Sequence, residues 1–416
     1  MQIEVSVEAR VADEEDKSIL KELAQPLLAW YDVNARILPW RENAAPYRVW
    51  ISEVMLQQTR VEAVKSYFER FMNALPTIQA LAEIEDDSLL KLWEGLGYYS
   101  RARNIKKTAK IVVEQYGGEF PSNYDDLMKL PGIGSYTAGA ISSIAFSNPV
   151  PAVDGNVLRV ISRVLASEED ITNQSVKKKV EDELRATMPQ LRPGAFNQAL
   201  MEIGAMVCVP NGLAKCEICP LNQLCKANIL DIVMDLPKKT PKKPRTIEEK
   251  TILVIKSADK VALRKRDNKG ILAGLYEFPN VEGHLSEKEV LYLVKQMPLS
   301  AIRIQKLEPS KHIFTHKEWH MIGYVIKVEE LEIAVELEQT NDLGQVIKLD
   351  KAIGLDKTVG ADKVQERQYL EPNNGIFKDC FFVEPREMEE KYPIPTAFQR
   401  YTKYINITQG NDKFKD

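Results

Sequence analysis

Four of the chain's five cysteines lie within eighteen residues, at Cys208, Cys216, Cys219 and Cys225. The gaps between them are seven, two and five residues, short enough for four thiolates to reach one compact centre. This spacing favours ligation of an iron–sulfur cluster. A structural zinc ion is the main alternative, although four-cysteine zinc sites usually contain two Cys-x-x-Cys pairs and this chain has one. Four unligated thiols are a third interpretation, and Cys380 is interpreted as an ordinary small apolar residue.

A second segment, Leu130–Ile141, has a proline followed by Gly132 and Gly134 just before an apolar stretch. This pattern predicts a tight hairpin between two helices, with glycines where the backbone turns sharply and approaches a ligand. The unpaired N–H groups at the start of the second helix would suit a DNA phosphate. Residues 130–153 contain no charged side chain, so backbone amides would make that contact. A plain helix–turn–helix corner is the alternative.

Two carboxylates stand in apolar surroundings on either side of this hairpin. Asp154 precedes a predicted helix, where an aspartate is most often a helix N-cap. Glu53 lies in the helical pattern of Val49–Leu56, where burial would raise its pKa and keep it a proton donor near neutrality. Cleavage of a glycosidic bond needs such a pair, one group to protonate the leaving group and one to stabilise a cationic sugar. An exposed Glu53 paired to a basic side chain is the alternative.

Composition and charge restrict the class of protein. The 416 residues carry a net charge of −4, which gives no sign of nucleic-acid binding by the whole chain. Basic residues are concentrated in two stretches that suit phosphate contacts or simply solvated surfaces: Arg101, Arg103, Lys106, Lys107 and Lys110, then Lys238, Lys239, Lys242, Lys243 and Arg245. The chain has no long apolar run and its start is acidic, so we expect a soluble, cytoplasmic protein with no membrane contact. We also expect it to be a monomer. The clustered, odd number of cysteines argues against a disulfide framework.

The elements that must position these residues change in type along the chain. Apolar residues recur at helical spacing in Ile19–Trp30, Val49–Leu56, Val61–Phe71 and Ser88–Leu96. After a linker rich in proline and lysine, strand patterns follow in Thr251–Lys256, Val261–Lys265 and Met321–Val328, with a helical pattern in Ser286–Gln296. We therefore predict a helical domain over 1–235, with its hairpin at about 125–146 and its cysteine loop at 208–225. A linker over 236–249 and an α+β domain over 250–416, with an insertion at about 334–378, complete the chain.

The hairpin, the following aspartate and the cysteine loop resemble the helix-hairpin-helix superfamily of base-excision DNA glycosylases. Within it, four segments are similar to the adenine DNA glycosylase (MutY) family: Leu38–Arg41, Ser52–Thr59, Trp93–Arg101 and Ala152–Val157. The second domain is similar to that family's C-terminal Nudix-like module, through Ala273–Pro279 and Phe314–His316. The resemblance implies a monofunctional enzyme with a 4Fe-4S cluster, which removes adenine from double-stranded DNA at A:8-oxoguanine or A:G mispairs.

The resemblance also implies roles for individual residues. Glu53 would protonate the adenine ring and later assist the attacking water, and Asp154 would stabilise the cationic sugar. Tyr136 and Asn156 would hold these carboxylates in place. Trp40, Arg41, Leu56 and Gln198 would line the pocket for the extruded adenine, while Gln58 and Tyr98 would wedge into the duplex. The remaining expected DNA contacts are Arg101, Gly132, Gly134, Phe314, Thr315 and His316.

This sequence departs from the family pattern in a few places. The first cysteine gap is seven residues where six is usual, and Thr315 replaces the usual serine of the loop that reads 8-oxoguanine. The metal-binding signature of Nudix hydrolases is missing after Gly274, so nucleotide hydrolysis is not expected. Two other classes remain open: a bifunctional glycosylase/lyase for oxidised pyrimidines, with its lysine at the position of Tyr136, and a non-catalytic damage sensor, which would lack a carboxylate.

Overall fold

The computed structural model describes residues 14–241, 243–295, 300–329 and 379–405, together with Phe377 and the backbone of 337–340, 346–349 and 368–369. The chain divides into two compact units, Met1–Lys242 and Lys243–Asp416. The predicted linker, 236–249, was too long at both ends. Leu236 is buried and accepts a hydrogen bond from Arg163, and Thr240 bonds to Asp170, so these residues belong to the first unit. Residues 246–249 already form a strand of the second.

The first unit is helical, as predicted. Its helices are α1 (Glu14–Glu22), α2 (Ala24–Asn34), α3 (Pro46–Leu56), α4 (Val61–Ala74), α5 (Ile78–Glu83), α6 (Asp86–Leu92), α7 (Ser100–Tyr116), α8 (Tyr124–Met128), α9 (Ser135–Ala140), α10 (Gly155–Val164), α11 (Gln174–Thr187), α12 (Pro193–Met206) and α13 (Lys226–Ile229). A π-helical turn, Ile141–Ala145, extends α9. The pattern predicted as one helix over Ile19–Trp30 is divided at Leu23, and the one over Ser88–Leu96 ends at Leu92.

Two packed regions of this unit position the candidate carboxylates. Helix α3 packs against α4, α7 and α9, and its residues Val49–Met55 are all buried. Helices α2, α10, α11 and α12 share a second core that contains Val157, Ile161 and Phe196. Helix α12 approaches the start of α10 closely, because a side chain at Gly204 would lie only 2.6 Å from Asn156 Cβ. Glu53 on α3 and Asp154 before α10 are therefore held by rigid, close-packed helices.

The second unit is an α+β domain built on a mixed sheet. Its strands are β1 (Thr246–Ser257), β2 (Lys260–Lys265), β3 (Tyr276–Glu277), β4 (Asn280–Glu282), β5 (Ala301–Ile313), β6 (Lys317–Val328), β7 (Leu337–Thr340), β8 (Val346–Leu349), β9 (Gln368–Tyr369) and β10 (Cys380–Val383). The order is β5-β6-β1-β2-β10-β9, with β3 beside β2 and β4 beside β1. Strands β1 and β6 are parallel, and the other pairs of this sheet are antiparallel.

Helices cover both faces of this sheet. Alternate β1 residues point to opposite sides: Ile252 and Val254 pack with α15 (Pro385–Lys391) and α16 (Thr396–Thr402), and Leu253 and Ile255 pack with α14 (Glu287–Val294). The predicted insertion at 334–378 lies largely outside the described residues; within it, β7 pairs with β8. No helix among the described residues is long and apolar enough to cross a membrane.

Candidate active site

Glu53 is buried in the middle of α3, with 5% of its surface exposed. Its neighbours Ser52 and Val54 are also buried, so this helix lies inside the protein on all sides. The alternative of an exposed Glu53 paired to a basic side chain is therefore wrong. Burial is the main reason that the pKa of Glu53 rises from 4.5 to about 7; the hydrogen bond from Tyr136 opposes this rise, and repulsion by the Asp154 carboxylate adds to it.

Tyr136, at the second position of α9, donates its hydroxyl hydrogen bond to Glu53 Oε2. The Tyr136 hydroxyl oxygen also lies 3.3 Å from Met201 Sδ on α12. Burial, together with the negative charges of Glu53 and Asp154, raises the pKa of the Tyr136 phenol, which stays protonated and acts only as a donor to the carboxyl. This contact restrains the orientation of the Glu53 carboxyl.

Asp154 is a helix N-cap and a member of this site at once. One carboxylate oxygen accepts hydrogen bonds from the backbone N–H groups of Asn156 at 2.9 Å and Val157 at 2.8 Å, which caps α10. The other accepts from Asn156 Nδ2 at 2.8 Å. Burial raises the pKa of Asp154, and these hydrogen bonds oppose the rise by favouring the ionised form. The two buried carboxyl groups thus differ in their surroundings: Glu53 accepts from one phenol, and Asp154 accepts from two backbone N–H groups and an amide.

Arg159 supports the Asp154 side of the site and was missed in the sequence. Its Nη2 donates to Asn156 Oδ1 at 2.9 Å and to the Gly204 carbonyl at 2.7 Å, and its Nε donates to the Cys208 carbonyl at 2.8 Å. The guanidinium therefore orients the amide that holds Asp154. The sequence feature that could have identified Arg159 is a basic side chain inside the apolar run of α10, where every residue from Val157 onward is buried.

Arg41 and Gln198, two of the residues expected to line an adenine pocket, lie near a buried carboxylate that the sequence did not single out. Glu202 on α12 accepts from Arg41 Nη2 at 3.0 Å and from Arg36 Nε at 2.7 Å. Burial alone would raise the pKa of Glu202, but both arginines outweigh it and lower the pKa to about 2. Arg41 is thus held by a permanent negative charge, and Gln198 lies one helical turn before Glu202 on the same face.

The other residues expected to line that pocket differ in how deeply they are buried. Trp40 is buried and packs edge-on against Phe68, with ring centroids 5.6 Å apart. Leu56 and Gln198 are half-buried. Arg41 also acts on the site electrostatically, because its charge lowers the pKa of Glu53 slightly against the dominant effect of burial.

The predicted hairpin is formed by α8, a turn and α9. Gly132 has a φ of +78°, and a side chain there would lie 2.8 Å from Asn104 Cβ, so the turn needs glycine. Gly134 is the N-cap of α9 and faces open space. Thr108 on α7 donates a 2.7 Å hydrogen bond to the Pro131 carbonyl and fixes the turn.

Gln58 and Tyr98 occupy two exposed turns with unusual backbone geometry. Both are non-glycine residues with positive φ, +60° and +49° respectively, and Tyr98 is 49% exposed. Gln58 follows α3, and Tyr98 precedes α7. Their exposure fits side chains that meet a large partner.

Arg101 contradicts the expectation of a direct DNA contact. Only 7% of it is exposed, and its guanidinium donates to five backbone carbonyls inside the protein, those of Val54, Met55, Gln57, Leu96 and Gly97. From the sequence, a basic residue within a basic stretch is expected to be exposed to solvent. In the structure, backbone carbonyl groups take the place of solvent around the Arg101 guanidinium. Arg101 supports the two turns from within.

The four clustered cysteines line one cavity beside α10 and α12. Arg163 Nη1 lies 3.1 Å from Cys208 Sγ, and the Arg163 carbonyl lies 3.3 Å from Cys225 Sγ. Burial raises the pKa of Cys216, of Cys225 and of Cys219, the last to about 12, and repulsion among the thiolates adds to the effect. Among the described residues, no three Cys, His, Asp or Glu side chains form a group able to hold a single ion.

In the second unit, Phe314, Thr315 and His316 form the turn between β5 and β6. Thr315 and His316 are exposed. Phe314 is half-buried between His312 and Trp319, with ring centroids 4.6 and 4.8 Å away. The aromatic base of this turn is therefore fixed, while its tip faces outward.

Comparison with known proteins gives the same assignment for both units. Residues 51–186 match the model of the HhH-GPD superfamily of base excision DNA repair proteins, and residues 251–404 match a NUDIX domain. A solved structure titled "Structure of a non-covalent Endonuclease III-DNA Complex" is 26% identical, covers 53% of this chain and 97% of that chain, and has a TM-score of 0.44.

Curated relatives extend across both units. The adenine DNA glycosylase of Buchnera aphidicola subsp. Schizaphis graminum is 37% identical over 73% of this chain and 87% of its own length. The mouse protein of the same name is 38% identical over 70% of this chain and 67% of its own length, and the human one is 36% identical over 70% and 64%. Identity at this level over most of a relative's length shows that the chain belongs to the adenine DNA glycosylase family of base-excision repair enzymes.

Proposed function

We propose that this glycosylase excises adenine paired with 8-oxoguanine or guanine in double-stranded DNA, without cutting the strand itself. The observation that carries the chemical part is Glu53: a buried carboxyl with a pKa of about 7, held by Tyr136 and electrostatically coupled to Asp154. When two neighbouring carboxyl groups differ in pKa, one can be protonated and act as an acid while the other is ionised and stabilises a positive charge at the same pH.

Glu53 acts first as the general acid. In its neutral form it donates its proton to a ring nitrogen of adenine, and the bond between the base and the sugar breaks with its electrons moving to the base. The sugar is left with cationic, oxocarbenium-like character. The Asp154 carboxylate, whose ionised form its N-cap hydrogen bonds favour, stabilises that charge.

Glu53 then acts as the general base. As a carboxylate it accepts a proton from the water that attacks the sugar, so the enzyme returns to its starting protonation state. Tyr136 orients Glu53 throughout, and Asn156 orients Asp154. The position at which related lyases carry a lysine nucleophile holds the Tyr136 phenol, which supports the monofunctional assignment.

Recognition of the duplex uses the remaining predicted residues. Trp40, Arg41, Leu56 and Gln198 would surround the extruded adenine, with Arg41 fixed by Glu202. Gln58 and Tyr98 would fill the space that the base leaves. The amide groups of the turn around Gly132 and Gly134 would contact a phosphate, since no charged side chain lies in that segment.

The most direct experiment is a single-turnover assay on four duplexes, with adenine opposite 8-oxoguanine, guanine, cytosine or thymine. We expect rapid excision opposite 8-oxoguanine, slower excision opposite guanine and little opposite the others. The product strand should break only after alkali or heat. Strand cleavage without treatment, together with a borohydride-trapped covalent complex, would show that a lysine acts as nucleophile and that the monofunctional proposal is wrong.

The cysteine loop fits a 4Fe-4S cluster. Four thiols line one cavity, and their spacing, one Cys-x-x-Cys pair flanked by single cysteines, favours a cluster over the two such pairs that are usual in four-cysteine zinc sites. Cys208, Cys216, Cys219 and Cys225 would be the ligands, and Arg163 would neutralise part of their negative charge. When bound, the cluster would supply iron–thiolate bonds that fix this loop beside α10.

Purified protein should be brown and should contain about four iron and four sulfide per chain, as expected for such a cluster. Cys219→Ser should lower both contents. Cys380→Ala, which changes the buried cysteine of the second unit, should leave them unchanged. A colourless protein that holds one zinc per chain after anaerobic purification would contradict the cluster.

The tip of the β5–β6 turn is proposed to read the base opposite adenine. Thr315→Ala should reduce the preference for 8-oxoguanine over guanine by about 2- to 10-fold, because one net hydrogen bond is lost. Thr315→Ser retains the hydroxyl and should retain the preference. The measurement is the ratio of single-turnover excision rates on the two duplexes, and Thr402→Ala on α16 is the control. An unchanged ratio in Thr315→Ala would remove this hydroxyl from recognition.

A further inference from the structure

Arg101 connects the two exposed turns that carry Gln58 and Tyr98. Its Nη1 donates to the carbonyls of Val54 at 2.7 Å, Met55 at 2.9 Å and Gln57 at 2.7 Å. Its Nη2 donates to the carbonyls of Leu96 at 3.0 Å and Gly97 at 3.1 Å, and to Thr59 Oγ1 at 3.3 Å. One planar guanidinium therefore joins both segments: Nη1 binds the end of α3, and Nη2 binds both the turn before α7 and the Thr59 hydroxyl after α3.

These acceptors lie directly beside the two strained residues. Gln57 and Thr59 flank Gln58, and Leu96 and Gly97 precede Tyr98. The backbone N–H of Arg101 adds a 2.9 Å bond to the Tyr98 carbonyl. Non-glycine residues keep a left-handed backbone only where their surroundings impose it. The contacts of Arg101 provide that restraint on both turns at once.

The charge of Arg101 is compensated without an acidic partner. Among the described residues it forms no ion pair; the carbonyl oxygens and the faces of Trp93 and Tyr98, 5.4 and 5.6 Å from its central carbon, take that place. The carbonyls of Val54 and Met55 belong to the last turn of α3, which lacks partners within the helix. An arginine at this negative end of the helix is favourable. Both turns are thereby fixed without a negative side chain that would repel DNA.

We infer that Arg101 is a positioning residue for base extrusion: it holds the turns of Gln58 and Tyr98 in the geometry that enters the duplex, before DNA is bound. This inference rests on the proposed role of Gln58 and Tyr98 as wedges. Lysine cannot replace the guanidinium, because a single ammonium group lacks the planar fork that reaches two turns together.

The first test needs no DNA. Arg60 is exposed and lies two residues after Gln58. The rate of trypsin cleavage between Arg60 and Val61 therefore measures how well ordered the turn of Gln58 is. In Arg101→Lys we expect cleavage to rise about tenfold or more, as expected when hydrogen bonds to a charged group are lost. Ile105→Val, a mild core change in the same helix α7, is the matched control and should leave cleavage near that of the wild type. Unchanged cleavage in a folded Arg101→Lys protein would overturn the inference.

The second test measures extrusion. With 2-aminopurine beside the target adenine, stopped-flow fluorescence should show extrusion slowed about tenfold or more in Arg101→Lys, while the pH profile of excision stays that of the wild type. In a Gln58→Ala, Tyr98→Ala background the same change should have little further effect, because residues that act together are not additive. An equal loss in both backgrounds, or a displaced pH profile, would overturn the inference.

If Arg101→Lys does not fold, Thr59→Val removes one acceptor of the guanidinium and leaves Arg101 in place. It should slow extrusion by about 2- to 10-fold, and an extrusion rate equal to that of the wild type would contradict the inference. The proposed function fails separately, if the wild-type protein neither extrudes nor excises adenine. In that case trypsin cleavage of Arg101→Lys still decides whether Arg101 orders the turn.

Discussion

Glu53→Gln should bind a duplex with adenine opposite 8-oxoguanine about as tightly as the wild type and should lose excision by about 100- to 10,000-fold. The amide has the size of the carboxyl and can still accept the hydrogen bond from Tyr136, but it cannot give a proton to the base. Single-turnover excision with separately measured binding is the test. A rate within a few-fold of the wild type would contradict the role of Glu53 as the acid.

The wild-type pH profile belongs to the same prediction. Excision should fall as the pH rises through about 7, where Glu53 loses its proton, and should also fall in acid, where Asp154 becomes protonated. Because the two carboxyl groups interact, the two limbs describe the pair as a whole. A rate that keeps rising well above pH 7 would exclude a neutral carboxyl as the proton donor.

The pH dependence of the unfolding free energy shows whether Glu53→Gln loses activity through its chemistry or through misfolding. The folded-state pKa of Glu53, about 7, lies above its ordinary value of 4.5, so its contribution to stability is present below pH 4.5 and lost as the pH rises through 7. This difference corresponds to about 3 kcal/mol of unfolding free energy. Glu53→Gln lacks that loss and should be the more stable protein at pH 8. Equal pH dependence of denaturation in the two proteins would contradict a buried, protonated Glu53.

The sequence was sufficient to identify the two carboxylates because each interrupts an apolar run. A charged residue in such a run is costly to bury unless it has a function or a partner. The sequence could not decide between those explanations, and in the structure Asp154 both caps α10 and acts electrostatically on Glu53. Glu202 carries the same signal on α12, yet its partners Arg36 and Arg41 lie far away in the chain.

Arg101 was misinterpreted for a related reason. Charge clustering along a sequence shows where basic residues are, but not whether their guanidinium groups point outward. On α7, Arg101 faces inward and Lys107, six positions later, is exposed. Arg101 donates to backbone carbonyls at the end of α3. Because every residue has a backbone carbonyl, the sequence does not show which carbonyls accept from an arginine. Only the folded arrangement reveals such a contact.

The two units were predictable because the residue pattern changes sharply between them, but the exact bounds of the linker were not. The change from helical to alternating patterns located both units, and the strand patterns over Thr251–Lys256 and Val261–Lys265 are confirmed in β1 and β2. Strand β5 was missed, because most of Ala301–Ile313 is only partly buried or exposed and lacks regular alternation. The linker was overestimated because its lysines and prolines conceal short docked segments and the start of β1.

Asp154→Asn should retain the fold and lose excision by about 100- to 1,000-fold, as is typical when one electrostatic stabiliser of a transition state is removed. Asparagine is as good an N-cap as aspartate, so its oxygen can still accept from the Asn156 and Val157 amides and α10 should begin as before. What disappears is the negative charge beside the developing cation. Asp182→Asn, at an exposed aspartate on α11, is the matched control.

The pH profile of Asp154→Asn gives a sharper test than its rate. The Asp154 carboxylate is one of the groups that raise the pKa of Glu53, so its removal should lower that pKa and move the alkaline limb of the residual activity toward lower pH. The acidic limb, which reports ionisation of Asp154, should disappear. A residual activity with both limbs unchanged would mean that the two carboxyl groups do not interact. In that case the charge that stabilises the sugar would have to come from another group.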